Sequence, residues 1–158
     1  MDAVILCGGQ GSRIRHLLPE GTPKCMADIN GTPFARILDR HLSRTGLFTR
    51  LFFLAGHNSG ELPMYIERES LVYVKCVIER EPLGTAGAVR DAARWFGAYD
   101  SSFFIFNGDT FCDVDYEAML AYHRITNSII TVACDREFRH VGTFVASRRF
   151  IDFIPPDC

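Results

Sequence analysis

Apolar runs that stop at glycine constrain this chain more than any other feature. Residues 2–7 form a short apolar stretch that ends at Gly8-Gly9. That is the pattern of a buried parallel strand running into a loop. Similar runs at 50–55, 71–78, 102–107, 128–134 and 141–146 read as further strands, and the fourth strand stops at Gly108-Asp109. Helical patterns lie between them. Pro33 opens one, with Ile37, Leu38, Leu42 and Thr45 on one face and Gly46 as the stop. Others fall at 60–69, 85–96 and 116–125, with a last helical turn at 148–154. Such alternation predicts βαβ units, right-handed crossovers and a mostly parallel sheet with helices on both faces. Ligands of such sheets sit beyond the carboxyl ends of the strands, where Gly8 and Gly108 both fall.

Bulk properties narrow the function classes. The 158 residues carry a net charge of -2, so no strong field draws nucleic acid or an anionic membrane. Any bound anion must be held by a local site. The six cysteines, at 7, 25, 76, 112, 134 and 158, include no C-x-x-C pair and read as reduced thiols, several in buried strands. The five histidines have no i,i+4 pair and receive no metal role. No stretch approaches a membrane span, and the apolar run at 3–7 is too short for a signal peptide, so a cytoplasmic protein is expected.

Three segments carry the chemistry. Gly8, Gly9, Gly11 and Ser12 let backbone N–H groups approach phosphate oxygens, while Arg13 can fork onto a phosphate and Lys24 can add a point charge. A Walker A loop is excluded because Lys24 does not follow a glycine, and a G-x-G-x-x-G fingerprint begun at Gly9 ends on Ile14. Residues 81–88 form a turn feeding a helix, with Thr85 as its expected cap. Asp109, directly after a strand, suits a hard cation held beside phosphates. Asp113 and Asp115 suit the start of the next helix, where the dipole favours negative charge. Each segment also has a plain reading: a glycine-rich turn, a loop-to-helix junction and a turn aspartate.

The run Leu6-Cys7-Gly8-Gly9-Gln10-Gly11-Ser12-Arg13, followed by Pro23-Lys24-Cys25-Met26, resembles the signature loop of the sugar-1-phosphate nucleotidylyltransferases. Asn30-Gly31-Thr32-Pro33-Phe34 resembles that family's lead into its first helix. The resemblance implies a Rossmann-like three-layer α/β/α sandwich, an NTP and Mg²⁺. It implies that Leu6, Gly8, Gly9, Gly11, Ser12, Arg13 and Gly108 border the nucleotide, with Glu79, Pro82, Gly84 and Thr85 on its base side. Arg13 and Lys24 match positions that offset charge on the triphosphate, and Asp109 matches a Mg²⁺ ligand. The implied reaction is attack of a sugar 1-phosphate on the α-phosphate, releasing pyrophosphate. By wording, segments 81–88 and 107–114 are most similar to members that activate heptose or mannose phosphates with GTP.

The resemblance spans about residues 1–135 and then fails. The family's Glu-Lys element and second metal carboxylate have no counterpart, so 136–158 reads as a shortened remnant of the sugar-binding part of one domain. A homodimer or larger assembly is expected to cover the shortened sheet. Phe144, Phe150 and Phe153 are expected either to supply that contact or to pack within their own chain. A binding module without turnover and an assembly scaffold are the competing readings.

Overall fold

The computed structural model describes residues 1–9, 14–56, 59–67, 70–79, 81, 83–98 and 100–155. Its strands are β1 (Asp2–Leu6), β2 (Asp28–Ile29), β3 (Thr32–Pro33), β4 (Arg50–Ala55), β5 (Tyr73–Ile78), β6 (Ser102–Asn107), β7 (Ile130–Cys134) and β8 (His140–Ser147). Its α-helices are α1 (Phe34–Arg44), α2 (Leu62–Glu67), α3 (Gly84–Ala93) and α4 (Tyr116–Ile125). Six strands form one sheet in the order β5-β4-β1-β6-β8-β7. The four from β5 to β6 pair in parallel, and β8 runs antiparallel between β6 and β7.

Side-chain alternation sorts each central strand between two cores. Ala3 and Ile5 of β1, Leu51 and Phe53 of β4, and Phe104 and Phe106 of β6 face α1, α2 and α4. Val4, Phe52, Leu54, Phe103 and Ile105 face α3 and the 3-10 helix Arg148–Phe153. Burial on both faces explains the unbroken apolar runs. Phe48 meets Phe104 and Phe106 edge-on, with centroids 5.1 and 5.6 Å away. Burying each such ring is worth about 1.5–3 kcal/mol. The expected three-layer α/β/α arrangement with a mostly parallel sheet is therefore the one observed.

Several local readings change. The buried side of α1 is Ala35, Arg36, Leu38, Asp39, Leu42 and Ser43, whereas Ile37 is only half-buried and Thr45 is exposed. Charge enters that face because Arg36 donates to Asp39 at 2.8 Å, and Asp39 also accepts from Ser43 and Ser70 at 3.1 and 2.7 Å. A buried charge is tolerated when it is paired and hydrogen-bonded in this way. Residues 30–34, read only as a lead into α1, overlap a hairpin of β2 and β3 over residues 28–33. Asn30 and Gly31 at its tip have φ of 53° and 81°, the left-handed pair that a tight hairpin turn requires. Helix α3 runs from Gly84 to Ala93 rather than from 85 to 96. Thr85 does not cap it: Leu83 holds the cap position, and its amide donates to the Glu79 carboxylate. Asp115 does cap α4, accepting from the Ala118 amide at 2.9 Å. Phe144 and Phe150 pack against their own chain, while Phe153 remains exposed.

Candidate functional site

The sheet order creates a crevice above the carboxyl ends of β1 and β6. From β1 the chain moves outward to β4 and β5, then returns to the other side of β1 as β6. Connections leaving these two neighbours diverge, which is the switch point where open α/β sheets bind ligands. Leu6 is level with Leu54 on one side and Asn107 on the other. The Cys7 amide donates to Leu54 at 2.7 Å, and the Gly108 amide donates to Leu6 at 3.0 Å. Gly8 and Gly9 emerge from that seam exposed.

Gly108 is buried, and a Cβ there would lie 2.6 Å from the Leu6 carbonyl oxygen and 2.7 Å from Cys7 Sγ. Only glycine lets β6 close against β1 at this point. The next residue, Asp109, is consequently presented at the rim. The 3-10 helix Lys24–Met26 brings Lys24 to the same place, anchored by the buried Cys25 side chain. Lys24 Nζ forms an ion pair and hydrogen bond with Asp109 Oδ2, although 85 positions separate them. Thr110 Oγ1 donates to Asp109 Oδ1 at 3.0 Å. Partial burial pushes the Asp109 pKa up, but the Lys24 and Thr110 hydrogen bonds and the Lys24 charge outweigh it and hold the carboxyl below its ordinary value. Asp109 is therefore an anion at neutral pH.

Glu79 follows β5 and reaches back toward the glycines. Its Oε1 lies 3.6 Å from where a Gly8 Cβ would stand. Burial raises its pKa, opposed by the Leu83 amide and reinforced by the Asp91 charge. Glu79 thus links the first loop to the start of α3, where Gly84 (φ 66°) and Thr85 are exposed. Beneath the crevice, a hydrogen bond with Cys25, burial and nearby negative charge push the Cys7 thiol well above its usual range.

Leu6, Gly8, Gly9, Lys24, Gly108 and Asp109 gather around one seam, with Glu79 beside Gly8. Gly11, Ser12, Arg13 and Pro82 lie outside the described residues. Sequence reasoning missed Thr110 as a donor to Asp109. It also missed Gly142 of β8, whose φ is 75° and whose Cβ would meet Asn107 Nδ2 at 2.9 Å. A glycine inside an apolar strand pattern was the available signal for that close approach.

Among the described residues, no group of three His, Cys, Asp or Glu side chains could hold a metal ion. A dedicated protein cage is thus absent from that part of the chain. Asp109 nevertheless fits an ion shared with a ligand, because Mg²⁺ commonly takes one or two carboxylates and completes its shell with phosphates and water.

The family profile described as nucleotidyl transferase matches residues 2–140. The chain belongs to the nucleotidyl transferase family. A D-glycero-alpha-D-manno-heptose 1-phosphate guanylyltransferase of Campylobacter jejuni is 34% identical over 146 residues, covering 90% of this chain and 62% of the relative. Its counterpart in Aneurinibacillus thermoaerophilus is 32% identical over 148 residues, covering 92% and 63%. The chain spans about three-fifths of the length of these two relatives. A mannose-1-phosphate guanyltransferase of Aspergillus oryzae is 29% identical over 127 residues, with 78% of this chain and 34% of the relative covered. The crystal structure of HddC from Yersinia pseudotuberculosis complexed with GMP-PN superposes with a TM-score of 0.79 at 27% identity, covering 99% of this chain and 80% of that one. In this member of the family, Lys24 and Asp109 are far apart in sequence and paired in space.

Proposed function

We propose that this nucleotidyl transferase chain moves a nucleoside monophosphate from an NTP, with GTP favoured, to a sugar 1-phosphate, releasing pyrophosphate. The meeting of Lys24 and Asp109 over the β1–β6 seam carries the reading. It puts a mobile cation and an ionised carboxylate beside exposed Gly8 and Gly9, in a family whose heptose and mannose relatives are named guanylyltransferases.

In this reading the amides of Gly8, Gly9, Gly11 and Ser12 face the triphosphate, and Arg13 and Lys24 offset its charge. Glu79, Pro82, Gly84 and Thr85 border the base, while Leu6 and Gly108 form the floor. Asp109 would hold Mg²⁺, which supplies charge neutralisation at the phosphates. A sugar 1-phosphate is already a nucleophile, so no general base is required. The chain's contribution is positioning and electrostatic complementarity. Lys24 gives up Asp109 for a phosphate, so the ion pair keeps both groups in place before substrate arrives. Residues 136–158 act as the short remnant of the sugar side. The reaction takes place in the cytoplasm, in a homodimer or larger assembly built on edge strand β7, whose Ile130 and Val132 are exposed.

Pyrophosphate release measured across GTP, CTP, UTP and dTTP, each with heptose 1-phosphate and mannose 1-phosphate, tests the reading. Release with GTP is expected to be fastest. No release with any pair, from folded protein that still binds nucleotide, would replace it with the binding-module reading.

A further inference from the structure

The opposite rim of the sheet holds a pocket of about 420 Å³, lined by Ser101, Ser102, His123, Arg124, Asn127, Ser128, Ser147, Arg148 and Arg149. It lies where β6 begins and β8 ends, since Ser102 pairs with Ser147, and it is closed on one side by the last turn of α4. The nucleotide crevice is at the other end of β6.

The chemistry of this pocket is one-sided. Its lining includes three guanidinium groups, four serine hydroxyls and an imidazole, but no carboxylate. Arg149 reaches Asn127 Oδ1 at 2.8 Å, and Arg148 Nε donates to the Asp100 carbonyl, so both side chains are held by neutral acceptors. The Asp100 carboxylate is turned to the N-terminal ammonium, 3.7 Å away. Burial first, then the charges of Arg124 and Arg149, push the His123 pKa down, as expected where cations crowd one spot. The last carbonyls of α4 do not oppose an anion freely: those of Tyr122, His123 and Arg124 accept from Thr126, Ser128 and Asn127.

Two groups in the lining lack a hydrogen-bond partner among the described residues. Ser147 is 8% exposed, and its Oγ is buried without one; Arg148 Nη2 is likewise buried without an acceptor, although the guanidinium carbon lies over the Phe96 ring, 6.0 Å from its centroid. Leaving such groups unsatisfied costs roughly 1–3 kcal/mol each, and more for a charged donor. A ligand that accepts from both removes the penalty. The acceptor must be anionic, must take several donors at once and must suit guanidinium forks, which describes a phosphoryl group.

We propose that this pocket binds the phosphoryl group of a small phosphorylated compound or of free phosphate, at a site separate from the nucleotide crevice. Arg148 Nη2 and Ser147 Oγ donate from the floor, while Arg124 and Arg149 close over the anion from the surface. The volume leaves room for a short polyol beside the phosphate.

Calorimetric titration with inorganic phosphate and with glycerol 3-phosphate tests the proposal. Lys24→Ala protein serves as the background in which the opposite crevice is weakened. Both probes are expected to bind wild type and Lys24→Ala equally, and the Arg124→Gln/Arg149→Gln pair is expected to weaken them at least tenfold. Both arginines are surface groups, and unchanged thermal midpoints will show that the variants fold. The single variant Arg124→Gln, read by displacement of the His123 ring resonance during titration, gives a second measure. Tighter binding of glycerol 3-phosphate identifies an ester site, and equal binding a free-phosphate site. No heat with either probe at millimolar concentration, or binding lost in Lys24→Ala and kept in the arginine pair, overturns the proposal.

Discussion

The two rims of the sheet treat charge in opposite ways. At the carboxyl rim, Lys24 and Asp109 arrive from separate loops and neutralise each other. At the amino rim, Arg124, Arg148 and Arg149 converge with no carboxylate among their neighbours in the pocket. Helix α4 joins the two, starting beside the first rim at Asp115 and ending in the wall of the second. The contrast is between a cation and a carboxylate that pair with each other and a cluster of cations without a carboxylate, and the two proposed ligands, a metal-bound triphosphate and a bare anion, follow from it.

The largest effect expected is on turnover. Lys24→Ala should lower kcat/KM on the order of 10²–10³-fold, the usual loss when one charge-stabilising donor is removed. Steady-state pyrophosphate release will measure it, and Arg124→Gln should leave that rate unchanged. Equal losses in the two variants would erase the distinction between the rims.

Gly108→Ala comes next. The added methyl meets Leu6 O and Cys7 Sγ at well under contact distance. Overpacking of this kind costs about 1–3 kcal/mol, to be read from urea unfolding midpoints. A wild-type midpoint would mean that β1 and β6 can part without penalty, and that the first rim is softer than its geometry indicates.

Asp115→Ala should cost about 1 kcal/mol by removing the α4 cap. If α4 couples the rims, the variant will also weaken phosphate binding at the far pocket, measured in the same calorimetric titration. Destabilisation without any change there would show that the rims are independent.

The smallest effect is in pH dependence. The folded state holds His123 below the ordinary histidine value of 6.5, so the unfolded chain binds that proton more readily. The stability contributed by neutral His123 is present above that value and fades as pH falls below it. Asp109 behaves differently. Its folded pKa lies below the ordinary carboxylate value of 3.8, so its contribution persists at pH 5 and is lost only as pH falls through the folded value. Thermal unfolding between pH 7 and 5 should therefore flatten in His123→Gln and keep its wild-type slope in Asp109→Asn. The reverse pattern would assign the acid sensitivity to the other rim.

Much of the fold was legible in local pattern. Buried parallel strands need apolar side chains on both faces, so 2–7, 50–55 and 102–107 declared themselves, and glycines marked their exits. The hairpin at 28–33 escaped because two-residue strands carry no periodicity; its sign was Asn30-Gly31. The α1 face escaped for another reason. Arg36 and Asp39 count as surface residues by pattern, but their mutual hydrogen bond makes them core.

Pattern and spacing by themselves determined the alternating architecture and the glycine-edged first loop, and the family resemblance singled out Lys24 and Asp109 as separate candidates. Tertiary structure alone decided that these two touch, that Gly108 is required by Leu6, and that four stretches of chain around residues 101, 124, 128 and 148 share a cationic pocket. Sequence reports what each residue prefers within a few neighbours. Pairings across 85 positions depend on strand order, and strand order is set by how the two cores pack against the sheet.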